Sequence, residues 1–233
     1  SEVGLDVFVS GGKPLDETLT IGLSGVVEAH KLARLTWDDE IIGMRNPPYQ
    51  KFGAGKVAPP PGAFLQATVH GQDALTAAVK EAVSGEKGVD LFAGCGTFTL
   101  PLAEHYEMIA LESEKPMIAA LDRGWREAKG LKKIEAVARD LFRRPFLPDE
   151  LAKLDFAVLD PPRAGAEAQV AELAKSEVAQ IAYVSCNPVT FTRDAKVLIN
   201  AGYVLNWVQV VDQFRWSSHV ELAAKLSRPH MQR

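Results

Sequence analysis

Asp90-Leu91-Phe92-Ala93-Gly94-Cys95-Gly96-Thr97-Phe98-Thr99 reads as the end of a buried strand, a glycine-rich turn and the start of a helix. Glycines there let the backbone come close to a ligand, at the carboxyl end of a strand, where open α/β sheets bind small molecules. A dinucleotide fingerprint would place a third glycine at position 99, where Thr99 stands instead. The missing glycine leaves less room against a pyrophosphate, so a nucleoside ligand without one fits better. A nicotinamide dehydrogenase is weakened on the same ground.

Downstream of this turn, strands and helices alternate, which implies a mainly parallel sheet covered on both faces. Helical spacing covers Thr99 to His105, Pro116 to Ala128, Ala166 to Lys175 and Val189 to Leu198, and Gln72 to Val83 precedes the turn. Strands are expected at Gly88 to Phe92, Met108 to Leu111, Ile134 to Ala138, Phe156 to Leu159 and from Ile181. Two long final strands, Val204 to Val211 and His219 to Leu226, read as an antiparallel hairpin at one sheet edge, with 213 to 218 as its loop. Three successive strands close on an acid: Glu112, Asp140 and Asp160 are expected on one rim. Glu112, 16 residues after Gly96, can accept both hydroxyls of a ribose.

Two later strand ends carry reactive groups. Asp160-Pro161-Pro162-Arg163 is a turn whose prolines fix where the acid and the arginine point. Ile181-Ala182-Tyr183-Val184-Ser185-Cys186-Asn187-Pro188 delivers a cysteine into a turn, since Asn-Pro forces the chain out of the strand. A thiol at the start of the following helix is expected to have a lowered pKa, because the helix dipole and free N–H groups favour the thiolate. A lone cysteine is more often a small buried hydrophobe, so the surrounding motifs decide the matter.

Upstream, residues 1 to 58 read as β-rich, with short runs at Leu5 to Val9, Leu19 to Leu23, Ala33 to Trp37 and Ile41 to Met44, and a helical turn over Val26 to Leu32. Pro59-Pro60-Pro61-Gly62 is the expected boundary with a second domain spanning 59–233. Asn46-Pro47-Pro48-Tyr49 looks like an amino-methyltransferase signature, but no buried strand leads into it. The start at Ser1, with strand-like sequence almost at once, reads as part of a longer chain.

Composition narrows the partners. Twenty-six basic against thirty acidic residues, a net charge of −4, argue against holding nucleic acid by bulk electrostatics, so any such partner is gripped locally. Two cysteines, Cys95 and Cys186, cannot form a disulfide framework, and His30, His70, His105, His219 and His230 lack close ligand spacing, so no metal is expected. No apolar run approaches the roughly 18 residues a membrane span needs, and no secretory signal precedes the fold. A reducing, cytoplasmic setting is the simplest expectation.

Taken together, the glycine turn, Glu112, Asp160-Pro161-Pro162-Arg163, Ser185-Cys186-Asn187-Pro188 and His219-Val220-Glu221 resemble the S-adenosylmethionine-dependent RNA (uracil-5-)-methyltransferases over about 60 to 233. The resemblance implies a Rossmann-like seven-stranded α/β sheet with a small N-terminal β-rich segment. It implies Cys186 as nucleophile and Glu221 as general base. Phe64-Leu65-Gln66 resembles the family's Phe-x-Gln element, with Thr68 where the family often has Asn. The methyl donor would then lie against Gln66, Phe92, Gly94, Gly96, Thr97, Glu112, Asp140 and Asp160. Many members also carry an oligonucleotide-binding-like N-terminal domain and iron–sulfur cysteines, neither of which is in this sequence. The substrate implied is a uridine of structured ribosomal or transfer RNA, methylated at C5. Thiolate addition at C6 fits this chemistry, because uracil C5 is a poor nucleophile until a thiolate makes it enolate-like. A base in a folded RNA must be flipped out to reach the thiol. Cytosine-5 methylation uses the same cysteine logic but is disfavoured by Glu221. An idle RNA-binding assembly factor is disfavoured by the intact pair.

Overall fold

The computed structural model describes residues 1–229; His230 lies outside them. The chain opens with β1 (Asp6–Val9), α1 (Glu17–Ala29), β2 (Arg34–Trp37) and β3 (Glu40–Met44), and the three strands form one sheet in the order β1-β2-β3. Helix α1 corrects the expectation of a strand at Leu19 to Leu23. Asp16 caps it, its carboxylate accepting from the Leu19 N–H at 2.7 Å, and Val27 buries against Leu32 and Leu35. The cap and the buried residue set a helical period, whereas Gly22 and Gly25 gave the run the look of interrupted strand. Arg34 is buried in a bidentate pair with Asp6 and also donates to the Pro59 carbonyl at 2.9 Å, which ties this sheet to the proline segment.

A two-stranded hairpin follows, β4 (Gln50–Phe52) and β5 (Gly55–Val57), turning through Gly53 at φ +57. It was not expected from the sequence, although Phe52-Gly53-Ala54-Gly55 carries the turn signal. Phe52 and Val57 enter the larger core beyond the prolines, so packing runs across the Pro59–Gly62 segment.

The rest is one seven-stranded sheet. In chain order come α2 (Val69–Ala82), β6 (Lys87–Leu91), α3 (Thr99–Ala103), β7 (Glu107–Glu112), α4 (Lys115–Glu127), β8 (Ile134–Ala138), α5 (Pro148–Leu151), β9 (Phe156–Leu159), α6 (Glu167–Lys175), β10 (Gln180–Ser185), α7 (Pro188–Asn200), β11 (Val204–Val211) and β12 (Glu221–Ser227). The spatial order is β11-β12-β10-β9-β6-β7-β8. β12 runs antiparallel between β10 and β11; the other neighbours are parallel. The expected edge hairpin is therefore present, and its second strand is the inner one. Leu75, Val79, Phe98 and Leu121 pack one face, and Leu154, Val170, Leu173, Phe191 and Leu198 pack the other. Strand order reverses between β6 and β9, so a crevice opens beyond their carboxyl ends, the place where such sheets hold ligands.

Candidate active site

A cavity of about 770 Å³ occupies that crevice, within the range of small-molecule sites. Of the residues singled out in the sequence, Gln66, Phe92, Gly94, Thr97, Glu112, Asp160, Cys186 and Glu221 line it. Gly96 and Asp140 do not.

The floor is the glycine turn. Gly94 and Gly96 take φ values of +56 and +99, and a Cβ on Gly96 would lie 3.0 Å from Leu121 Cγ. Phe92, a bulky residue, also sits at φ +68, a strained backbone of the kind held at functional sites. Thr99 fills the place of the missing third glycine, and its Oγ1 donates to Asp90 Oδ2 at 2.6 Å. The other carboxyl oxygen, Asp90 Oδ1, is buried without a partner. Burial pushes the Asp90 carboxyl up to about 7 against the pull of Thr99.

Glu112 ties this turn to the next loop. Its Oε2 accepts from the Gly94 N–H at 3.1 Å, and its Oε1 accepts from Ser113 N, Ser113 Oγ and Glu114 N. Asp140, by contrast, folds back on its own loop, accepting from Phe142 N at 2.9 Å and facing Arg143. Of the three strand-end acids, the cavity thus receives Glu112 and Asp160. The turn that Asp140 stabilises brings Phe142 into the cavity instead, 5.5 Å from the Phe92 ring. Phe142 escaped notice because an aromatic two residues beyond a strand is ordinary in sequence; only the fold pairs it with Phe92.

The opposite wall holds the thiol. Cys186 follows β10 directly, and Asn187 caps α7, its Oδ1 accepting from Val189 N at 3.0 Å. Asn187 Nδ2 and Thr190 Oγ1 both donate to the Arg163 carbonyl, at 3.0 and 3.2 Å, which locks the cysteine turn to the Asp160–Arg163 loop. Ser185 pairs with Leu222 across the antiparallel β10–β12 ladder, so the next step of the register sets Cys186 beside Glu221. Helix-end placement is as expected, but the thiol pKa is not lowered. Burial, then Glu221, then Asp160 push it up, and these outweigh the backbone and Arg163. Glu221 itself is raised by burial, and Asp160 is pushed up to about 8 by burial, Glu221 and Asp90.

Gln66 stands at the entrance. Its Oε1 accepts from Gln213 Nε2 at 2.8 Å, while Gln213 Oε1 accepts from Thr68 N at 3.2 Å. These bonds bind the 64–68 segment to the β11–β12 loop, whose Phe214 and His219 also line the cavity. Asn46 to Tyr49 lies outside the lining.

The lining suits a cationic nucleoside. Phe92 and Phe142 offer faces for a base, Glu112 for a ribose, and Glu114 and Glu221 bring acidic side chains that disfavour a pyrophosphate. Among the described residues no group of three or more metal-ligating side chains gathers, and no helix is long and apolar enough to cross a membrane.

Comparison with known proteins bears on the family and the fold. The family model described as tRNA (Uracil-5-)-methyltransferase matches residues 62–229. A protein of Mesorhizobium japonicum, named an uncharacterised RNA methyltransferase, is 48% identical over 99% of this chain and 56% of its own length. The 23S rRNA (uracil(1939)-C(5))-methyltransferase of Chromohalobacter salexigens is 40% identical over 72% of this chain and 35% of its own. The crystal structure of Pyrococcus abyssi tRNA (uracil-54, C5)-methyltransferase in complex with S-adenosyl-L-homocysteine superposes with a TM-score of 0.74 at 26% identity, covering 94% of this chain and 55% of that one. The chain thus spans about half the length of the curated relatives it matches across its whole extent. A match over most of the chain and close identity to such relatives lead to one conclusion: the chain belongs to the tRNA (uracil-5-)-methyltransferase family.

Proposed function

We propose that this chain carries the catalytic domain of an S-adenosylmethionine-dependent enzyme that methylates C5 of a uridine in RNA through a covalent adduct with Cys186. The observation that carries the reading is that Cys186, the residue after β10, and Glu221, the first residue of the adjacent β12, share the wall of a cavity whose floor is a glycine turn.

S-adenosylmethionine is the cofactor, and it supplies an electrophilic methyl group on a positively charged sulfonium. Gln66, Phe92, Gly94, Thr97, Glu112, Phe142 and Asp160, which line the cavity, would hold it. Cys186 gives its thiol proton to solvent, and the thiolate adds to C6 of the uracil, leaving C5 with the electron density of an enolate. Once C5 carries the methyl group, Glu221 removes its remaining proton, and the S–C6 bond breaks as the C5–C6 double bond re-forms. The raised pKa of Glu221 suits a carboxylate that must accept a proton near neutral pH. Cys95 and Cys186 are both unpaired, which suits a reducing, cytoplasmic compartment.

Covalent trapping tests the reading. RNA containing 5-fluorouridine has no C5 proton to surrender, so incubation with S-adenosylmethionine should leave a protein–RNA band that survives denaturation. Cys186→Ala should abolish the band, and Glu221→Gln should form such a band even on ordinary uridine. A chain that binds S-adenosylmethionine and methylates uridine normally after Cys186→Ala would sink the mechanism.

A further inference from the structure

The β11–β12 loop carries a residue that the catalytic scheme leaves unused. Trp216, at its tip, is fully solvent-exposed and held at φ +67, a backbone that bulky residues rarely adopt. The loop around it is braced. Asp212 Oδ1 accepts from Phe214 N at 3.0 Å, Ser217 N donates to the Phe214 carbonyl at 3.1 Å, and Ser217 Oγ accepts from His219 N at 3.1 Å. Gln213 anchors the same loop to Gln66 and Thr68. Trp216 is two residues from Phe214 and three from His219, both of which line the cavity and meet edge to face at 6.2 Å.

A single exposed apolar side chain needs no explanation. Trp216 is not single. Phe64, on the segment that Gln213 braces, is 84% exposed at the edge of the same cavity. Arg215, next to Trp216, is exposed and enters no ion pair among the described residues. Unbound indole and guanidinium faces on a hydrogen-bonded loop at a cavity mouth match how proteins hold unpaired RNA: aromatic faces stack bases, and a nearby cation meets the backbone phosphate. A flipped nucleotide leaves its neighbours without a stacking partner, so the surface meets a need that the reaction creates.

We infer that Trp216 and Arg215 form a stacking platform for an unpaired nucleotide adjacent to the target uridine. The inference rests on the RNA reading above and adds a determinant of which sequences flank that uridine. Trp216 touches no reacting atom, so it acts on RNA affinity and leaves cofactor binding alone.

The test uses a fluorescein-labelled single-stranded heptamer of uridines, with binding read by fluorescence anisotropy in the presence of S-adenosylhomocysteine. Trp216→Ala should weaken binding about 5- to 150-fold, the span that base–aromatic stacking provides. Trp216→Phe should recover most of the loss, and the affinity for S-adenosylhomocysteine should be unchanged in both. Abasic residues placed in turn on either side of the central uridine should weaken the parent chain at one flank. At that flank they should have no further effect on Trp216→Ala. Equal affinity of parent and Trp216→Ala, additive losses at both flanks, or no heptamer binding by a parent that binds S-adenosylhomocysteine would each overturn the platform. A heptamer bound with the stacking signature but never trapped through 5-fluorouridine would overturn the uracil-5 reading and leave the platform standing.

Discussion

Cys186 is surrounded by acid, and that sets the behaviour of the resting site. Asp160, Glu221 and Asp90 crowd one end of the sheet, and each raises or is raised by another. Asp160, up to about 8, and Asp90, up to about 7, both hold protons through much of the neutral range in the folded chain, whereas in the unfolded chain they release them near the ordinary carboxylate pKa. The folded state therefore binds more protons between about pH 4 and 8, and its stability falls as pH rises through that window. The contribution is fully present below the ordinary carboxylate pKa and lost as pH passes about 7 and then 8. Asp160→Asn cannot ionise and should escape the loss. In thermal unfolding, the midpoint of the variant relative to the parent should rise between pH 5 and pH 8.5 by at least about 2–4 °C, the shift that 1 kcal/mol gives in a domain of this size. Parallel pH profiles would show that Asp160 is ionised in the folded chain. At this scale Glu112 and Asp160 were legible because each ends a strand at a marked turn, and Cys186 because it leaves one into Asn-Pro, whereas Glu221, the first residue of β12, was named only through the His219-Val220-Glu221 resemblance. The sequence hid the upward shift of Cys186, since burial, and then Glu221 and Asp160 arriving from other strands, oppose the helix end that is visible locally.

Elements were legible where one period dominated. The buried strands β6, β7, β9 and β10 and the helices α4 and α7 follow from apolar runs and spacing, and their order gave the parallel sheet. Failures came where tertiary packing or a cap decided. Helix α1 owes its form to Asp16 and Val27, and the β4–β5 hairpin to its dock on α4. That dock rests on Gly124, in mid-helix. A Cβ there would stand 2.6 Å from Val57 Cγ2 and 2.9 Å from the Lys56 carbonyl oxygen, and the backbone oxygen cannot rotate away. Gly124→Ala gains helix propensity of roughly 1 kcal/mol yet must push the hairpin off the helix. Overpacking of this kind costs about 1–3 kcal/mol, so a net loss is expected in urea unfolding. A stabilised variant would mean that the hairpin gives way without cost. Because Phe52 and Val57 belong to the main core, the loss should appear in the single transition of the large sheet.

For the molecule as a whole, charge constrains how RNA is held. A net charge of −4 supplies no bulk attraction for RNA, and the cavity lining carries several acids. Of the cations near the mouth, Arg139 is committed to Glu150 at 2.7 Å. Arg163, in the lining, and Arg215, on the loop, remain available for phosphates. Each neutralised phosphate of a single strand contributes about −0.7 to the slope of log K against log salt, so two contacts give a slope of about −1.4. Anisotropy titrations of the uridine heptamer across a series of salt concentrations should return that shallow slope. Arg215→Ala should flatten it by about 0.7, while Trp216→Ala should lower the affinity at every salt concentration and leave the slope unchanged. Stacking is insensitive to counterions and phosphate contact is not, so the two variants separate the two halves of the platform. A slope steeper than about −4 would place the RNA across a surface other than this mouth, since two arginines cannot release so many counterions.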